Sequence, residues 1–72
     1  TSILTIAKDT TASNITVADT AGTVAAIAKS TTAGLPVGAT SLTNASFVVG
    51  NTVTVVSSGA GEAFVLITFT VA

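Results

Sequence analysis

Only five side chains in this 72-residue sequence carry charge, two of them Lys and three Asp or Glu. The acids are Asp9, Asp19 and Glu62, and no two of them stand at a spacing that would pair carboxylates for acid–base chemistry. A Lys could activate a Ser nucleophile, but no oxyanion-hole motif accompanies Lys8 or Lys29. His, the commonest general base, is absent. The sequence therefore predicts that the protein is not an enzyme.

The same residues offer little to a metal, a cofactor or a nucleic acid. Asp9 and Asp19 could contribute to a calcium site, but Ca²⁺ takes about six to eight oxygen ligands and one carboxylate per turn is few. We therefore interpret both as turn caps, and Lys8 and Lys29 as strand-end charges that discourage stray edge pairing. Gly59-Ala60-Gly61 lacks the residues of a phosphate loop and indicates a flexible hairpin tip. With no Cys and a net charge of −1, we expect no disulfide, metal, cofactor or nucleic-acid partner.

Two sequons could carry carbohydrate in a secreted chain. They are Asn14-Ile15-Thr16 and Asn44-Ala45-Ser46. Asn44 is the better acceptor of the two, because it lies in a predicted loop.

The high proportion of apolar residues could indicate a membrane span, but the distribution of these residues does not fit one. The run from Ser30 to Gly61 carries no charge and is long enough, but it contains five Gly and Pro36 and no stretch of about 18 apolar residues. We therefore expect no membrane span. Thr1 is compatible with removal of either an initiator Met or a secretory leader.

β-Branched residues and turn signals alternate along the chain, which predicts short strands joined by turns. Residues 2–8 and 14–18 are predicted strands. Residues 23–29 fit a strand or a short helix, and an internal repeat favours the strand. Ile6–Ala12 recurs as Ile27–Ala33 with six of seven positions matching, so both copies should end a strand and begin a turn.

The second half of the chain predicts a bend, three strands and a hairpin. Pro36 marks the bend at 34–38, which cannot lie in a central strand. The strands are predicted at 45–49, 52–56 and 63–71, with 57–62 as the hairpin connection between the last two.

This pattern predicts an all-β fold, a small antiparallel sandwich or barrel of about five to seven short strands. The phrase Gly50–Val55 is common in immunoglobulin-like modules of surface proteins and covers six residues. We expect an immunoglobulin-like or jelly-roll-like type, with residues 1–72 as a single domain that a neighbouring subunit could complete.

The terminal strands, residues 2–8 and 63–71, are candidate inter-subunit strands. Ala and Val, which bury little surface, are the commonest apolar residues, and no disulfide supports so small a core. We therefore expect that the isolated chain is not a stable monomer. The residues predicted to form the core or the assembly contacts are Ile3, Leu4, Ile6, Phe47, Phe64, Val65, Leu66, Ile67, Phe69 and Val71.

Alternation in the terminal strands predicts which side chains share a face. In the first, Leu4 and Ile6 share one face, and Ile3 lies on the other. In the last, Val65, Ile67, Phe69 and Val71 share a buried face opposite Phe64 and Leu66, and its first half should be buried on both sides. Such a strand is typical of a sheet centre or of a strand that packs on a neighbour.

Three functions fit these features. The first is a virion structural protein, such as a small phage capsid decoration or cement subunit that contacts its own copies and a major capsid protein. The second is a subunit of an extracellular filament or pilus-like fibre joined by β-strand exchange. The third is a secreted adhesin or carbohydrate-binding module, although Trp and Tyr, the usual sugar-stacking residues, are absent. We expect the protein in a virion, outside the cell or at its surface.

Overall fold

The computed structural model describes residues 1–70, which form six strands in two antiparallel sheets of three, with no helix. The predicted all-β class is therefore confirmed. The strands are β1 (Ser2–Ala7), β2 (Asn14–Asp19), β3 (Gly22–Ala28), β4 (Pro36–Gly38), β5 (Thr54–Ser57) and β6 (Ala63–Thr68). Sheet A has the order β4-β1-β6 and sheet B the order β3-β2-β5.

The two sheets pack on a shared core that follows the alternation of β1 and β2. Ile3 from β1 joins Val17 from β2 and Ile27 from β3, each nearly inaccessible to solvent. Thr5 is also fully buried in β1, and its hydroxyl donates a hydrogen bond to the carbonyl of Val37 at 3.0 Å. Because a buried hydroxyl is costly unless it is bonded, this bond fixes β4 beside β1.

Of the ambiguous residues 23–29, all but Lys29 belong to β3, which confirms the strand over the helix. Asp19 ends β2 and its Oδ1 accepts hydrogen bonds from the amides of Ala21 and Gly22 at 2.9 and 3.2 Å. A β-bulge then interrupts the β2–β3 register, and Val24 and Ala25 are both buried although they are adjacent. This bulge explains the departure from strict alternation that resembled a helical period.

The predicted strand at 45–49 is wrong. Residues 45–48 have no regular structure, and a turn follows at 49–50. Phe47 is nevertheless only 3 % exposed. It is buried because this segment packs across the core, although the segment belongs to neither sheet.

The predicted hairpin at 57–62 is also wrong. β5 pairs with β2 in sheet B and β6 pairs with β1 in sheet A, so this segment passes from one sheet to the other. β6 is consequently one of the two edge strands of sheet A and not a central strand. Phe64 and Leu66 are exposed at its surface, contrary to the expected burial on both sides.

The accessible surface of 4197 Å² is close to the roughly 4000 Å² expected for a folded chain of this mass. The single chain is therefore compact. Its surface has the ordinary area, but large apolar side chains cover an unusual share of it. No helix among residues 1–70 is long and apolar enough to cross a membrane.

Candidate assembly surface

The outer face of sheet A is covered by large apolar side chains. Leu4 lies opposite Leu66, and Ile6 lies opposite Phe64, in the antiparallel register of β1 and β6. The exposed fraction is 36 % for Ile6, 63 % for Phe64 and 59 % for Leu66. We call these four residues the apolar face. The expected grouping of Leu4 with Ile6, away from Ile3, holds, but their side is the outer one.

The other predicted residues of β6 point towards the core. Val65 and Ile67 are partly buried and pack against the core cluster. Phe69 follows the strand and is 46 % exposed, and its ring meets that of Phe47 edge to face, with the centroids 5.1 Å apart. Val71 lies outside the described residues.

The sandwich is open along one side, between the edge strands β5 and β6. A pocket of about 290 Å³ lies there, lined by Ile15, Val55 and Ser57 from sheet B and by Ala63 and Val65 from sheet A. Lys8, Gly61 and Glu62 complete its lining. Val55 occupies an inward position opposite Val17 but is still 46 % exposed, because no strand covers it from this side within residues 1–70. Both sheets therefore end at an uncovered apolar edge on the same side of the molecule.

Four of the five charged side chains meet at one end of the sandwich, which we call the charged end. They form two ion pairs, Lys8 with Glu62 at 3.4 Å and Lys29 with Asp9 at 3.0 Å. The backbone amide of Glu62 also donates a hydrogen bond to Oδ2 of Asp9 at 3.1 Å, which links the two pairs. The apolar face and both open edges therefore consist of uncharged residues, with Lys8 and Glu62 beside them only at this end.

Lys29 does not extend into solvent, and its interpretation as a strand-end charge that discourages stray edge pairing is wrong. Its side chain is completely buried, and its ammonium donates to the backbone carbonyls of Asp9, Thr11 and Ser30 at 3.3, 2.5 and 2.9 Å. These bonds and the Asp9 carboxylate satisfy the charge. Lys29 thus connects the end of β3 to the turn between β1 and β2.

Lys8 does match the interpretation of an exposed strand-end charge. Its side chain is 42 % exposed, and its ammonium lies 5.1 Å from the centre of the Phe64 ring. The cation therefore borders the apolar face at one corner. The two copies of the repeated Ile-Ala-Lys segment end a strand as expected, but one Lys is buried and the other is exposed.

The carboxylate of Asp9 is held in its ionised form. The hydrogen bond from Lys29 lowers the pKa of Asp9 below its ordinary value of 3.8, and the amides of Thr11 and Glu62 act in the same direction. Partial burial opposes these effects but does not outweigh them. The side chain of Asp9 also caps its own turn through the amide of Thr11, as expected.

No group of three or more Asp or Glu gathers within residues 1–70 in an arrangement that could hold a metal ion. Asp19 caps the β2–β3 turn, away from the charged end, and its Oδ2 is buried with no hydrogen-bond partner in the described part of the chain. Asp9 and Asp19 therefore serve separate turns.

Gly61 is packed tightly and is not a flexible tip. A Cβ atom at this position would collide with the carbonyl oxygen of Thr11 and would lie 2.9 Å from Cβ of Ser13 and 3.2 Å from Cε of Lys29. Its glycine is required by this close approach, which sequence reasoning missed because the contacting residues come from distant turns.

The two sequon residues lie in different settings. Asn14 is exposed at the first position of β2. Asn44 is exposed with a φ of 51°, and its amide nitrogen, the atom that would carry carbohydrate, donates a hydrogen bond to the carbonyl of Thr23 at 3.0 Å. Asn44 therefore attaches its loop to the edge of β3.

Comparison with known proteins adds no relative, since no protein-family model, curated protein or solved structure matches this chain.

Proposed function

We propose that this protein is a non-enzymatic structural subunit of an assembly built from copies of itself. The observation that carries this proposal is the combination of the apolar face with two uncovered apolar edges on one small molecule. Large contiguous apolar patches on a soluble chain usually mark an interaction surface. A partner that covers them would remove Phe64 and Leu66 from water, which are 63 % and 59 % exposed in the single chain.

The exposed apolar residues extend beyond sheet A. In sheet B, Val56 is 60 % exposed on the outer side and Val55 is 46 % exposed at the open edge. Val49 is 88 % exposed in the segment that crosses between the sheets, and Leu35 is 51 % exposed before β4. Such a distribution suits a subunit surrounded by neighbours on several sides, and not a binding module with one site.

The setting that we propose is a virion, with the chain as a small capsid decoration or cement protein that contacts its copies and a major capsid protein. A subunit of a capsid shell has one surface that faces solvent, and its other surfaces contact neighbouring subunits. The charged end supplies the first, because Lys8 and Glu62 are both well exposed there. The expected immunoglobulin-like or jelly-roll-like type stays a prediction within this proposal.

An extracellular filament is the second candidate, and one observation favours it. The open edges of β5 and β6 lie on the same side and flank a pocket, which suits addition of a strand from the next subunit. The coding sequence upstream of Thr1 distinguishes the two settings. An initiator Met favours the virion, whereas a hydrophobic leader favours the filament.

Sedimentation across a range of concentrations tests self-assembly. We expect species heavier than the 6.9 kDa chain at low micromolar concentration, and particles or fibres by negative-stain electron microscopy. Leu66→Lys places a charge on the apolar face and should dissociate these species. The matched control is Thr10→Lys, an exposed position in the turn at the charged end. A folded monomer at every concentration would contradict the proposal.

The salt response provides a separate test, because the proposed contacts are apolar. Raising the salt concentration from about 0.1 to about 1 M screens ion pairs but does not weaken apolar burial. We expect the sedimentation profile to persist or to shift towards heavier species. Dissociation over this range would instead indicate charge-mediated contacts.

A further inference from the structure

Four strands lie at sheet edges, and they differ in how well their outer backbone is protected. β4 has three residues and begins with Pro36, which has no amide hydrogen to offer. The edge of β3 is covered, because the amide of Thr43 donates to the carbonyl of Val24 at 3.0 Å. β5 has four residues, whereas β6 has six, with neither charge nor Pro. β6 is therefore the longest of the edges that nothing within residues 1–70 covers, and it has none of the usual protection against pairing there.

The backbone groups that β6 offers follow from its register with β1. The amide of Lys8 donates to the carbonyl of Glu62 at 3.0 Å, and pairing alternates from there along the antiparallel ladder. Phe64 and Leu66 therefore direct their amide and carbonyl groups towards β1. The groups of Ala63, Val65 and Ile67 point away from β1, towards the end of the sheet.

The side chains of β6 define what an incoming strand must be. Val65 and Ile67 face the core and are partly buried, whereas Phe64 and Leu66 face outwards and are mostly exposed. A strand paired here would place its own side chains beside both sets, so it must be apolar on both faces. Within residues 1–70, β6 itself is the edge strand that best meets this requirement.

From these features we infer that β6 binds β6 of a second copy of the chain around a two-fold axis that passes midway between the two Val65 residues; this inference rests on the proposed self-assembly. Val65 then lies opposite its own copy, Ala63 opposite Ile67, and Phe64 opposite Leu66. This register is the one that uses the outward groups of all three residues, since each such pair exchanges two hydrogen bonds. Two three-stranded sheets become one continuous sheet of six strands.

The other features of this side are compatible with a two-fold axis there. The pocket between β5 and β6 opens at the same edge, so the pockets of the two copies face each other across the axis. Each copy then partly covers Val55 of the other. Antiparallel pairing places Glu62 opposite Thr68 of the second copy. The two charged ends are then about 20 Å apart, at roughly 3.4 Å per residue, which exceeds the Debye length of about 8 Å and leaves little repulsion.

Disulfide crosslinking tests this register cleanly, because the natural chain has no Cys. Val65→Cys should form a covalent dimer under mild oxidation, doubling the 6.9 kDa mass, since facing Cα atoms about 5.5 Å apart suit a disulfide. Phe64→Cys alone and Leu66→Cys alone should crosslink poorly, because each lies diagonal to its own copy at about 7–8 Å. A mixture of these two variants should crosslink well, because residues 64 and 66 face each other.

The possible outcomes separate this interface from self-assembly in general. If oligomers form but neither Val65→Cys nor the mixture crosslinks, the two-fold pairing is wrong and self-assembly stands. If Val65→Cys instead forms its crosslink mainly with Val55→Cys of another copy, β6 pairs with β5 of the next copy. Such head-to-tail pairing gives an open-ended assembly, and the two-fold axis is again wrong. A monomer at all concentrations overturns both proposals. The mixture keeps the test valid if Val65→Cys does not fold, because Phe64 and Leu66 are exposed.

Discussion

The ammonium of Lys29 lies 3.0 Å from Oδ1 of Asp9, and the Lys29 side chain is completely shielded from solvent. Twenty residues separate the two in sequence, so the pair joins the end of β3 to the turn after β1. The amide of Glu62 binds the other oxygen of Asp9, which brings the start of β6 into the same cluster. Strands from both sheets are thereby fixed at one end.

Replacement of the buried cation should destabilise the chain far more than replacement of the exposed one. Lys29→Met keeps the volume but removes the donor of three backbone carbonyls and the cation beside the Asp9 carboxylate, at a cost of roughly 2–4 kcal/mol. The matched control is Lys8→Met, which breaks a surface pair worth at most about 1 kcal/mol. Denaturant unfolding at one fixed protein concentration measures both. Equal losses would mean that the burial of Lys29 carries no stability.

The lowered pKa of Asp9 predicts the acid response of the fold. A carboxyl whose folded-state pKa lies below its unfolded value contributes stability above the unfolded value, here 3.8. That contribution is lost as the pH falls below 3.8 through the folded-state pKa. Between about pH 5 and 8 we expect no step, because the chain has no His.

Unfolding midpoints measured from acid to neutral pH test this prediction. Asp9→Asn should remove most of the acid-induced loss while lowering stability at neutral pH. A sharp transition near pH 6.5 in the natural chain would be inconsistent with the residues present.

Gly61→Ala should be damaging although Gly61 does not need a positive φ. The added Cβ would overlap the Thr11 carbonyl oxygen and crowd Ser13, which we expect to cost about 1–3 kcal/mol. Gly59→Ala is the control, because a Cβ there meets its nearest neighbours at an ordinary 3.7 Å. Thermal unfolding of the two variants should differ clearly. A tolerated Gly61→Ala would show that the turn can shift away from the new methyl group.

Adjacent positions near the end of β6 should lose very different amounts of stability when the same charge is introduced. Ile67 packs partly against the core, so Ile67→Asp would bring an unpaired carboxylate there at a cost of several kcal/mol. Thr68 is exposed on the opposite face, and Thr68→Asp should cost about 1 kcal/mol or less.

Circular dichroism and negative-stain microscopy of these two variants give the readout. We expect Ile67→Asp to abolish folding and assembly, and Thr68→Asp to leave folded chain and at least some assembled material. If Thr68→Asp were the more damaging variant, the core would contact the face of Phe64 and Leu66 instead.

The first three strands could be predicted from the sequence because their signals are local. Ile15 and Val17 alternate with other residues, and Asp19 begins a turn. Each of these signals depends on only a few consecutive residues. The segment around Phe47 has strand-like residues but no neighbour to pair with, and pairing is decided by the whole topology. The apolar pattern of β6 predicted a strand correctly, but the same pattern suits a central strand or an edge that a partner covers.

The candidate assembly surface was predictable in its residues more than in its geometry. The sequence singled out Phe64 and Leu66 but could not place them beside Leu4 and Ile6 on an outer face, since that depends on the register of two strands at opposite ends of the chain. The burial of Lys29 was missed for a related reason. Three of its four acceptors are backbone carbonyls, which have no sequence signature.

The difference in burial between Lys29 and Lys8 also determines which lysine a protease or a chemical reagent can reach. Trypsin cleaves after Lys or Arg, and the chain offers only these two positions, of which one is completely enclosed. In the folded chain an acylating reagent can reach only the Lys8 amine of the two, whereas in the unfolded chain both react. The number of acyl groups added to lysine, read by mass spectrometry, therefore counts folded and unfolded molecules in a mixture directly.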